Sequence, residues 1–290
     1  MSAEIIDGKA IAAAVRADVK ERVAALKKEA GVAPKLAALL VDFFAPSKIY
    51  VNAKEKACED VGMLSERVDL PKDVSRDDYF AQIKRLNEDP SVHGIIAQLP
   101  VPEHLNPELE IQMAIDPAKD VDCLHPLNTG LMVRGEGMFL PATPYGIVEL
   151  MARAGIQTKG KHVVVVGRGG LVGMPLSVML AQKNERGNAT VTVCHTATPD
   201  IGSFTREADI VVAAAGRPGT VTADMVKPGA TVIDVAVNRL DSGKLVGDVD
   251  FEEVKEVAGA ITPVPGGVGP MTVAMLIVNT MAAAEKLAEG

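Results

Sequence analysis

Apolar and polar positions follow two different spacings along nearly the whole chain. Short, continuously apolar runs predict buried strands, and stretches with an apolar residue every three or four positions predict helices. The predicted helices cover residues 7–28, 47–61, a segment opened by Ser75, a segment opened by Thr143 and closed by Gly155, and 271–287. The predicted strands cover residues 36–41, 66–70, 92–99, 163–166, 190–194, 209–214 and 231–235. Apolar strands that alternate with helices favour an α/β fold with parallel sheets covered on both faces.

A glycine-rich turn joins the strand over 163–166 to a helical stretch. It reads Gly167-Arg168-Gly169-Gly170. Glycines let the backbone approach a pyrophosphate closely, and the helix N-terminus supplies free N–H donors. This strand–turn–helix context predicts a dinucleotide site, and the alternative is a merely tight turn.

The end of the following strand bears on which dinucleotide is bound. NAD sites of this type place an acidic residue there, on the ribose hydroxyl. Here the strand ends in Cys194-His195-Thr196, and Arg168 lies inside the glycine-rich turn. Both features favour NADP over NAD. The alternative is that Arg168 is a solvated side chain and His195 an ordinary loop residue.

The stretch 116–140 interrupts the alternation, because it is rich in Gly and Pro and shows little periodicity. We interpret it as a functional loop and a junction between domains. The sequence thus predicts two domains with a cleft between them: an N-terminal α/β substrate domain over 1–140 and a Rossmann-type parallel-sheet nucleotide domain over 141–270. The final segment, 271–290, is expected to complete the first domain, although sequence alone does not settle this.

Composition narrows the class of protein. A net charge of −8 without runs of like charge argues against nucleic-acid and anionic-membrane partners. No apolar run reaches the roughly 18 residues of a membrane span, and the N-terminus lacks the pattern of a signal peptide. Three cysteines without CxxC spacing favour reduced thiols over disulfides or a metal site. We expect a cytoplasmic protein that acts on a small molecule and holds no metal.

A lysine falls within the apolar face of the helix predicted over 47–61. The residues at spacings of three and four on this face are Tyr50, Ala53, Lys54, Ala57, Cys58 and Val61. Burial lowers the pKa of a lysine, and a tyrosine one turn earlier is within reach of its amine. The pattern therefore predicts an acid/base pair of Lys54 and Tyr50. The alternative is that the Lys54 amine reaches past the apolar face into water.

Polar residues also follow the strand over 92–99. Gln98 lies near its carboxyl end, the edge at which α/β sheets bind ligands, and is placed to orient Lys54. An ordinary polar strand end is the alternative. Asp120 and Asp122 lie in the next loop, and two acids without further close ligands are weak evidence for a metal. We interpret one of them as a hydrogen-bond acceptor for substrate, with a surface carboxylate as the alternative.

Six segments, in order along nearly the whole chain, resemble motifs of the methylenetetrahydrofolate dehydrogenase/cyclohydrolase family. The family patterns are YVxxKxKA, VQLP, KDVDG, PCTPxG, GRSxxVGxP and TPVPGGVGPMT. The matching segments here are Tyr50-Val-Asn-Ala-Lys54-Glu-Lys56-Ala, Gln98-Leu-Pro, Lys119-Asp-Val-Asp122, Pro141-Ala-Thr-Pro-Tyr-Gly146, Gly167 to Pro175 and Thr262 to Thr272.

The resemblance implies oxidation of methylene-tetrahydrofolate with NADP, followed by hydrolysis of the methenyl product to formyl-tetrahydrofolate. By it, Lys54 is the acid/base residue of the hydrolysis, Tyr50 and Gln98 assist it, and Asp122 binds the pterin ring. The remaining implied folate contacts are Pro265, Gly266 and Gly267. The implied cofactor contacts are Gly167, Arg168, Gly169, Thr196 and Val237. The resemblance also implies a homodimer, which the exposed edge strand of the nucleotide domain would favour.

The chain departs from the family pattern at several positions. Residues 42–46 replace a stretch that usually begins with Gly, and Cys123 replaces the Gly of KDVDG. Ala142 replaces a Cys, and Gly169 replaces the Ser of GRS. The first two changes could reshape the folate site, and the last removes one hydroxyl beside the cofactor phosphates.

Three other functions remain open on the sequence. The chain could be a dehydrogenase of another small metabolite, such as the shikimate type, or a dehydrogenase without hydrolase activity. It could also be a catalytically silent nucleotide sensor, against which the set of Tyr50, Lys54, Gln98 and Asp122 argues.

Overall fold

The structure is a computed structural model that describes residues 2–289, apart from the side chains of residues 45 and 46. The strands are β1 (Glu4–Ile5), β2 (Lys35–Val41), β3 (Leu64–Leu70), β4 (Gly94–Ala97), β5 (His162–Val166), β6 (Thr190–Cys194), β7 (Ile210–Ala213), β8 (Thr231–Asp234), β9 (Asn238–Arg239), β10 (Leu245–Val246) and β11 (Ala260–Ile261). The helices are α1 (Gly8–Ala30), α2 (Ala45–Val61), α3 (Arg76–Glu88), α4 (Glu108–Ala114), α5 (Pro126–Arg134), α6 (Ala142–Arg153), α7 (Gly173–Ala181), α8 (Gly202–Thr205), α9 (Phe251–Val254) and α10 (Val268–Ala288).

This order of elements confirms the predicted α/β fold with parallel sheets. The prediction was wrong for the segment 116–140, which contains α5 and is not a continuous loop. The start and stop signals of α5 are present in the sequence. Its first residue is Pro126, the His125 ring accepts the N–H of Leu127, and Gly135 ends the helix at a φ of 73°. A helix this short, surrounded by Gly and Pro, lacks the long periodic pattern on which the prediction relied.

The first compact unit, called here the six-stranded unit, consists of Met1–Ala12 and Thr143–Thr272. Its parallel sheet has the strand order β1-β11-β8-β7-β5-β6. The central strands β5 and β7 are apolar and buried, as expected of a parallel sheet. Residues 1–12 were assigned to the first domain on sequence, whereas in the structure β1 pairs with β11 and extends this sheet. Strands β5, β6 and β7 are neighbours, so the loops that follow them lie along one edge.

The second compact unit, called here the three-stranded unit, consists of Ala13–Ala142 and Val273–Gly290. Its parallel sheet has the order β3-β2-β4. The central strand β2 is apolar, and six of its seven residues are buried. Helix α2 follows β2, and Gln98 follows β4, where its backbone N–H donates to the carbonyl oxygen of Leu39 at 2.9 Å. The sheet therefore brings the start of α2 and Gln98 to the carboxyl ends of adjacent strands.

Within the described residues, α10 is the one helix whose length and mean hydropathy of 1.3 would suit a membrane span. However, 61% of its most apolar stretch is buried inside the protein. The side-chain amide of Asn279 also donates to the carbonyl oxygens of Val121 and Leu140, at 2.7 and 2.9 Å. A helix with a mostly buried apolar surface and a buried, bonded amide is typical of a protein core. We therefore interpret α10 as a core helix.

Candidate active site

Helix α2 holds Lys54 on its buried face. Buried residues recur along this helix at Ser47, Val51, Lys54, Cys58 and Val61, at the spacings of four and three that one helical face requires. The Lys54 side chain is 8% exposed, and its amine donates a hydrogen bond of 2.9 Å to Oε1 of Gln98. Lys54 therefore does not reach past the apolar face into water.

The predicted apolar face of α2 was wrong at Tyr50 and Ala53, which are both exposed. At about 100° per residue, Ala53 points well away from Lys54. Tyr50 lies closer to the buried side but belongs to the first turns of the helix, where its side chain is 49% exposed. In residues 2–289 its hydroxyl makes no hydrogen bond, so the structure does not bring Tyr50 and Lys54 into a bonded pair.

The orientation of the Gln98 amide is fixed by two contacts. Its Nε2 donates to the carbonyl oxygen of Leu99 at 2.7 Å, and its Oε1 accepts from Lys54. A lysine amine can only donate when charged, and a carbonyl can only accept, so the amide has one arrangement that satisfies both partners. Gln98 thus presents an acceptor to Lys54, as predicted from its place at the end of β4.

The loop after α4 carries Asp122 toward Lys54. Two other residues of this loop, Lys119 and Asp120, support the fold. The buried Lys119 amine donates to the carbonyl oxygens of Leu86, Asn87 and Asp89 at the end of α3, at 2.7–3.2 Å. This satisfies carbonyl groups that the helix itself leaves unpaired.

Asp120 is also buried and anchors the start of α5. Its carboxylate accepts from the N–H groups of Leu124 and His125 and from the amide of Asn128, at 2.8–3.1 Å. Of the two acids in this loop, Asp122 is therefore the one left half-buried with no such anchoring role.

Burial and charge oppose each other at Lys54 and Asp122. Burial lowers the pKa of the Lys54 amine, and the negative charge of Asp122 partly counters this. Burial likewise raises the pKa of the Asp122 carboxyl, against the effect of Lys54. In both groups desolvation is the stronger influence, which favours the uncharged forms. A lysine amine in this state loses and regains a proton more easily than an exposed one, which is what general acid/base chemistry requires.

The six-stranded unit contains a cavity of about 500 Å³ at the carboxyl ends of β5, β6 and β7. Its lining residues are Val166, Gly167, Arg168, Gly169, His195, Thr196, Thr198, Ile201, Ala214, Ala215, Arg217 and Thr220. Gly167 has a φ of 129°, and a Cβ there would lie 2.1 Å from the carbonyl oxygen of Ala214. No atom lies within 4 Å of where a Cβ of Gly169 would stand. A larger residue in place of Gly167 would collide with Ala214, whereas a side chain in place of Gly169 would point into open space.

Two arginines contribute to the lining of this cavity. Arg168 and Arg217 are both exposed, and within residues 2–289 neither guanidinium makes a hydrogen bond or an ion pair. The lining includes no acidic residue. The cavity therefore fits an anionic nucleotide, and sequence reasoning missed Arg217. Its position just after β7, at the ligand-binding edge of the sheet, is the signal that could have identified it.

His195 lines the cavity but also has a local structural role, and Val237 lies outside the lining. The His195 ring accepts the N–H of Ala197 at 3.2 Å, and its backbone N–H donates to Thr198, so it stabilises a local turn. Val237 lies between β8 and β9 and does not line the cavity. The structure therefore does not place Val237 with the other candidate cofactor residues.

The loop over 262–267 packs tightly against the start of α1. Its Val264–Pro265 bond is cis, and Gly266 has a φ of 115°. A Cβ on Gly8 would lie 1.8 Å from the carbonyl oxygen of Gly267, so the two backbones are in close contact. Pro265, Gly266 and Gly267 therefore form one fixed loop of the six-stranded unit.

The structure shows the surroundings of two departures from the family motifs, Cys123 and the segment 42–46. Cys123, in the place of a Gly, has a φ of 58°, a left-handed conformation that glycine adopts without strain. Its thiol is buried and donates to the carbonyl oxygen of Phe139. In the segment 42–46, Asp42 forms an ion pair with Lys48 at 2.8 Å, and the side chains of residues 45 and 46 lie outside the described residues.

Together, a dinucleotide-type cavity on a parallel sheet and a buried lysine held by an amide define a nucleotide-dependent α/β enzyme with a separate acid/base centre. Two family models match the chain. The tetrahydrofolate dehydrogenase/cyclohydrolase catalytic domain matches residues 6–122, and the NAD(P)-binding domain of the same description matches residues 141–288. The chain belongs to the tetrahydrofolate dehydrogenase/cyclohydrolase family.

Individual relatives agree with this assignment over almost the full length. The bifunctional protein FolD of Albidiferax ferrireducens is 54% identical over 98% of this chain and 96% of its own. The solved structure of the bifunctional enzyme FolD from Campylobacter jejuni is 44% identical, with a TM-score of 0.93 over 98% of this chain and 99% of its own. The Trypanosoma brucei enzyme, solved with NADP cofactor and an inhibitor, is 39% identical, with a TM-score of 0.92 over 99% and 98%.

The family, the enzyme class and the nicotinamide nucleotide predicted from sequence are thereby confirmed. The shikimate-type dehydrogenase and the silent nucleotide sensor are no longer favoured. The roles of individual residues stay predictions.

Proposed function

We propose that this protein oxidises methylene-tetrahydrofolate to methenyl-tetrahydrofolate with NADP and hydrolyses the product to formyl-tetrahydrofolate. The observation that carries the proposal is the buried Lys54 amine bonded to Gln98 beside Asp122. Unlike the buried amine of Lys119, the Lys54 amine bonds no helix-end carbonyl groups, so its burial is better explained by proton transfer than by support of the fold.

The hydrolytic half requires movement of protons. Water adds to the cationic methenyl carbon, and its oxygen loses two protons, one on addition and one as the formyl C=O forms. A ring nitrogen gains one proton as its bond to that carbon breaks, and the other proton is released to solvent. The Lys54 amine accepts the first proton in its uncharged form and returns one to the nitrogen, so it ends the cycle as it began. Gln98 orients the amine by accepting its hydrogen bond. Asp122 lies near the amine and accepts hydrogen bonds from the pterin ring.

Tyr50 is assigned a contact with substrate. Its ring is half exposed at the beginning of α2, one helical turn before Lys54. An exposed aromatic ring offers a flat apolar surface to a pterin, and its hydroxyl has no protein partner in residues 2–289 to compete with substrate. We assign further folate contacts to Pro265, Gly266 and Gly267, whose fixed loop is preorganised for binding.

The oxidative half depends on placement. NADP, when bound, accepts the hydride that leaves the methylene carbon. Gly167 and Gly169 give the pyrophosphate close access to the backbone, and Arg168 balances the charge of the 2′-phosphate. Thr196 supplies a hydroxyl at the same wall, and Val237, outside the cavity lining, is assigned a contact with the nicotinamide end. These residues bind and orient only, since direct hydride transfer needs no acid or base from the protein.

A spectrophotometric assay tests the proposal. Methylene-tetrahydrofolate with NADP should reduce the nicotinamide and release formyl-tetrahydrofolate, with NAD a poorer substitute. Methenyl-tetrahydrofolate alone should be hydrolysed without any nicotinamide. A protein that binds NADP but turns over neither folate would refute the proposed function.

We also propose a homodimeric, soluble, cytoplasmic enzyme. Within the described residues the backbone of β6 is paired with β5 alone, so β6 forms a free edge of the sheet. Its central residues are only half-buried, and an edge of this kind is a ready surface for a second copy. Light scattering at micromolar concentration should give twice the mass of one chain. The mass of a single chain would contradict the dimer.

A further inference from the structure

A fully buried carboxylate lies behind one wall of the nucleotide cavity without lining it. Asp248 accepts three hydrogen bonds from N–H donors. Its Oδ2 receives the backbone N–H groups of Ala215 at 2.6 Å and Gly216 at 2.9 Å, and its Oδ1 receives the amide of Asn238 at 2.9 Å. Asp248 is therefore bonded to the loop after β7 and to the strand β9.

The backbone of Asp248 holds the other end of the same loop. Its carbonyl oxygen accepts the N–H of Thr220 at 2.8 Å, and the Thr220 hydroxyl donates to the carbonyl oxygen of Arg217 at 2.6 Å. One residue thus fixes the entry and the exit of the loop 214–220. Ala214, Ala215, Arg217 and Thr220 of this loop all line the cavity.

Asp248 itself is held in place from behind. The Asp234 carboxylate, at the carboxyl end of β8, accepts the N–H groups of Asp248 at 2.9 Å and Val249 at 3.1 Å. A Cβ on Gly247 would lie 1.8 Å from Oδ2 of Asp234, so only glycine allows this approach. The sheet, through Asp234, therefore determines where Asp248 stands.

We propose that Asp248 is a positioning residue for NADP, which sets the conformation of the loop 214–220 and with it the place of Arg217 in the cavity wall. The proposal rests on the proposed function of the cavity as the NADP site. It adds a residue that touches no cofactor. Asp248 acts through the backbone N–H groups it binds.

An asparagine at position 248 would keep the shape of the side chain but not its acceptors. Its single carbonyl oxygen can serve the N–H groups of Ala215 and Gly216, and its NH₂ group then meets the NH₂ group of Asn238. Two donors that face each other in a buried place leave both unsatisfied. Asn238 cannot exchange its amide oxygen and nitrogen without loss, because its NH₂ group also donates to the carbonyl oxygen of Gly247 at 3.1 Å. We therefore expect the side chain at 248 to move and to loosen its hold on the loop 214–220.

The test is direct binding of NADP, measured by calorimetry, to the full-length wild type and variants. Asp248→Asn should raise the Kd for NADP by about ten-fold. It should raise the dehydrogenase KM for NADP more than it lowers kcat. Adding Asn238→Asp should restore part of the affinity, because the new carboxylate accepts from the amide at 248. A merely structural role would lower the free energy of unfolding and leave the Kd of the folded protein for NADP unchanged.

Asp250→Asn is the matched control. Asp250 is exposed two residues further on, and its side chain does not cap α9, so this variant should keep the wild-type Kd. If Asp248→Asn does not fold, Asn238→Ala removes one donor from the same carboxylate and should still weaken NADP binding. An unchanged Kd in the folded variant would overturn the positioning role while wild-type folate turnover with NADP continues. Failure of the wild type itself to bind NADP would instead refute the proposed function.

Discussion

A lysine amine removed from water must be paired or must lose its charge. Lys54 has one neutral acceptor, Gln98, and the charge of Asp122 nearby, and burial still lowers its pKa. These two neighbours stabilise the charged form of the Lys54 amine less than water would. Lys54 is therefore a residue whose place in the fold is better explained by chemistry than by stability.

Lys54→Met tests this directly. The methionine side chain is only one atom shorter and suits the buried face of α2, so the fold should survive. Cyclohydrolase activity should fall by roughly 10²- to 10⁴-fold, as is typical when a general acid/base is lost. Hydride transfer should lose less, because it depends on placement. Methenyl-tetrahydrofolate should then accumulate, which its absorbance would show.

Lys84→Met provides the control, since that lysine is exposed on α3 and, within residues 2–289, pairs only with Glu88 across 3.8 Å. It should retain both activities. If folded Lys54→Met converts methenyl- to formyl-tetrahydrofolate at the wild-type rate, the proposed role of Lys54 is wrong.

A second residue makes a prediction about pH. Burial raises the pKa of the Asp234 carboxyl to about 7, despite the N–H donors that lower it. The unfolded chain has an ordinary aspartate pKa of about 3.9. Between these values the folded protein binds more protons than the unfolded one, so the contribution of Asp234 to stability falls as the pH rises from about 4 to about 7. Asp234→Asn removes this titration.

Urea unfolding of wild type and Asp234→Asn at about pH 5 and about pH 8 measures the effect. The stability of the wild type relative to the variant should be greater at the lower pH. A difference that is constant, or that grows toward pH 8, would contradict the raised pKa.

At the scale of elements, α3 illustrates how a buried lysine can be purely structural. The Lys119 amine donates to three carbonyl groups at the end of α3, where the positive charge also favours the helix dipole. Lys119→Met should therefore cost on the order of 3 kcal/mol, because the carbonyl groups lose their donor in a buried place. Lys54→Met should cost clearly less. Urea unfolding of the two variants compares them, and equal losses would contradict the distinction.

The sequence predicted elements best where their own residues carry the pattern. The apolar runs of β2 and β5 and the capping residue Ser75, whose hydroxyl accepts the N–H of Asp78, are local signals, and the structure has them within a few residues of their predicted places. The strands β1 and β11 have two residues each and exist through pairing with distant segments, which no local pattern encodes.

The candidate site divides in the same way. Lys54 and Gln98 could be placed because each stands at a recognisable position, on a helix face and at a strand end. Arg217 was missed, although it follows β7 and the same strand-end rule could have placed it. Asp248 could not be placed, because its bonded partners Ala215 and Gly216 lie 33 and 32 residues earlier in the chain. Tyr50 was wrongly placed on the buried face of α2. Helical spacing shows which residues share a face, but not how much of that face the neighbouring elements cover.

At the scale of the whole molecule, net charge and local charge have opposite signs. The chain carries a net charge of −8, which disfavours a polyanionic cofactor at long range. The nucleotide cavity instead presents the guanidinium groups of Arg168 and Arg217 and no acidic lining residue. Binding of NADP must therefore depend on these short-range contacts, which bulk salt screens only in part.

The cofactor preference follows from this arrangement. A guanidinium can form two charge-assisted hydrogen bonds with a 2′-phosphate, which NAD lacks, so removal of Arg168 should affect one cofactor and spare the other. Arg168→Ala should lower kcat/KM for NADP by about ten- to a hundred-fold, the effect of losing one or two such bonds, and change the value for NAD little. Arg186→Ala, on the same unit but paired with Glu149 away from the cavity, is the comparison variant and should leave the ratio of the two cofactors as it is. Initial rates with each cofactor at saturating methylene-tetrahydrofolate give these values. If the wild type uses both cofactors with equal efficiency, and Arg168→Ala does not alter that ratio, the assignment of Arg168 to the 2′-phosphate is wrong.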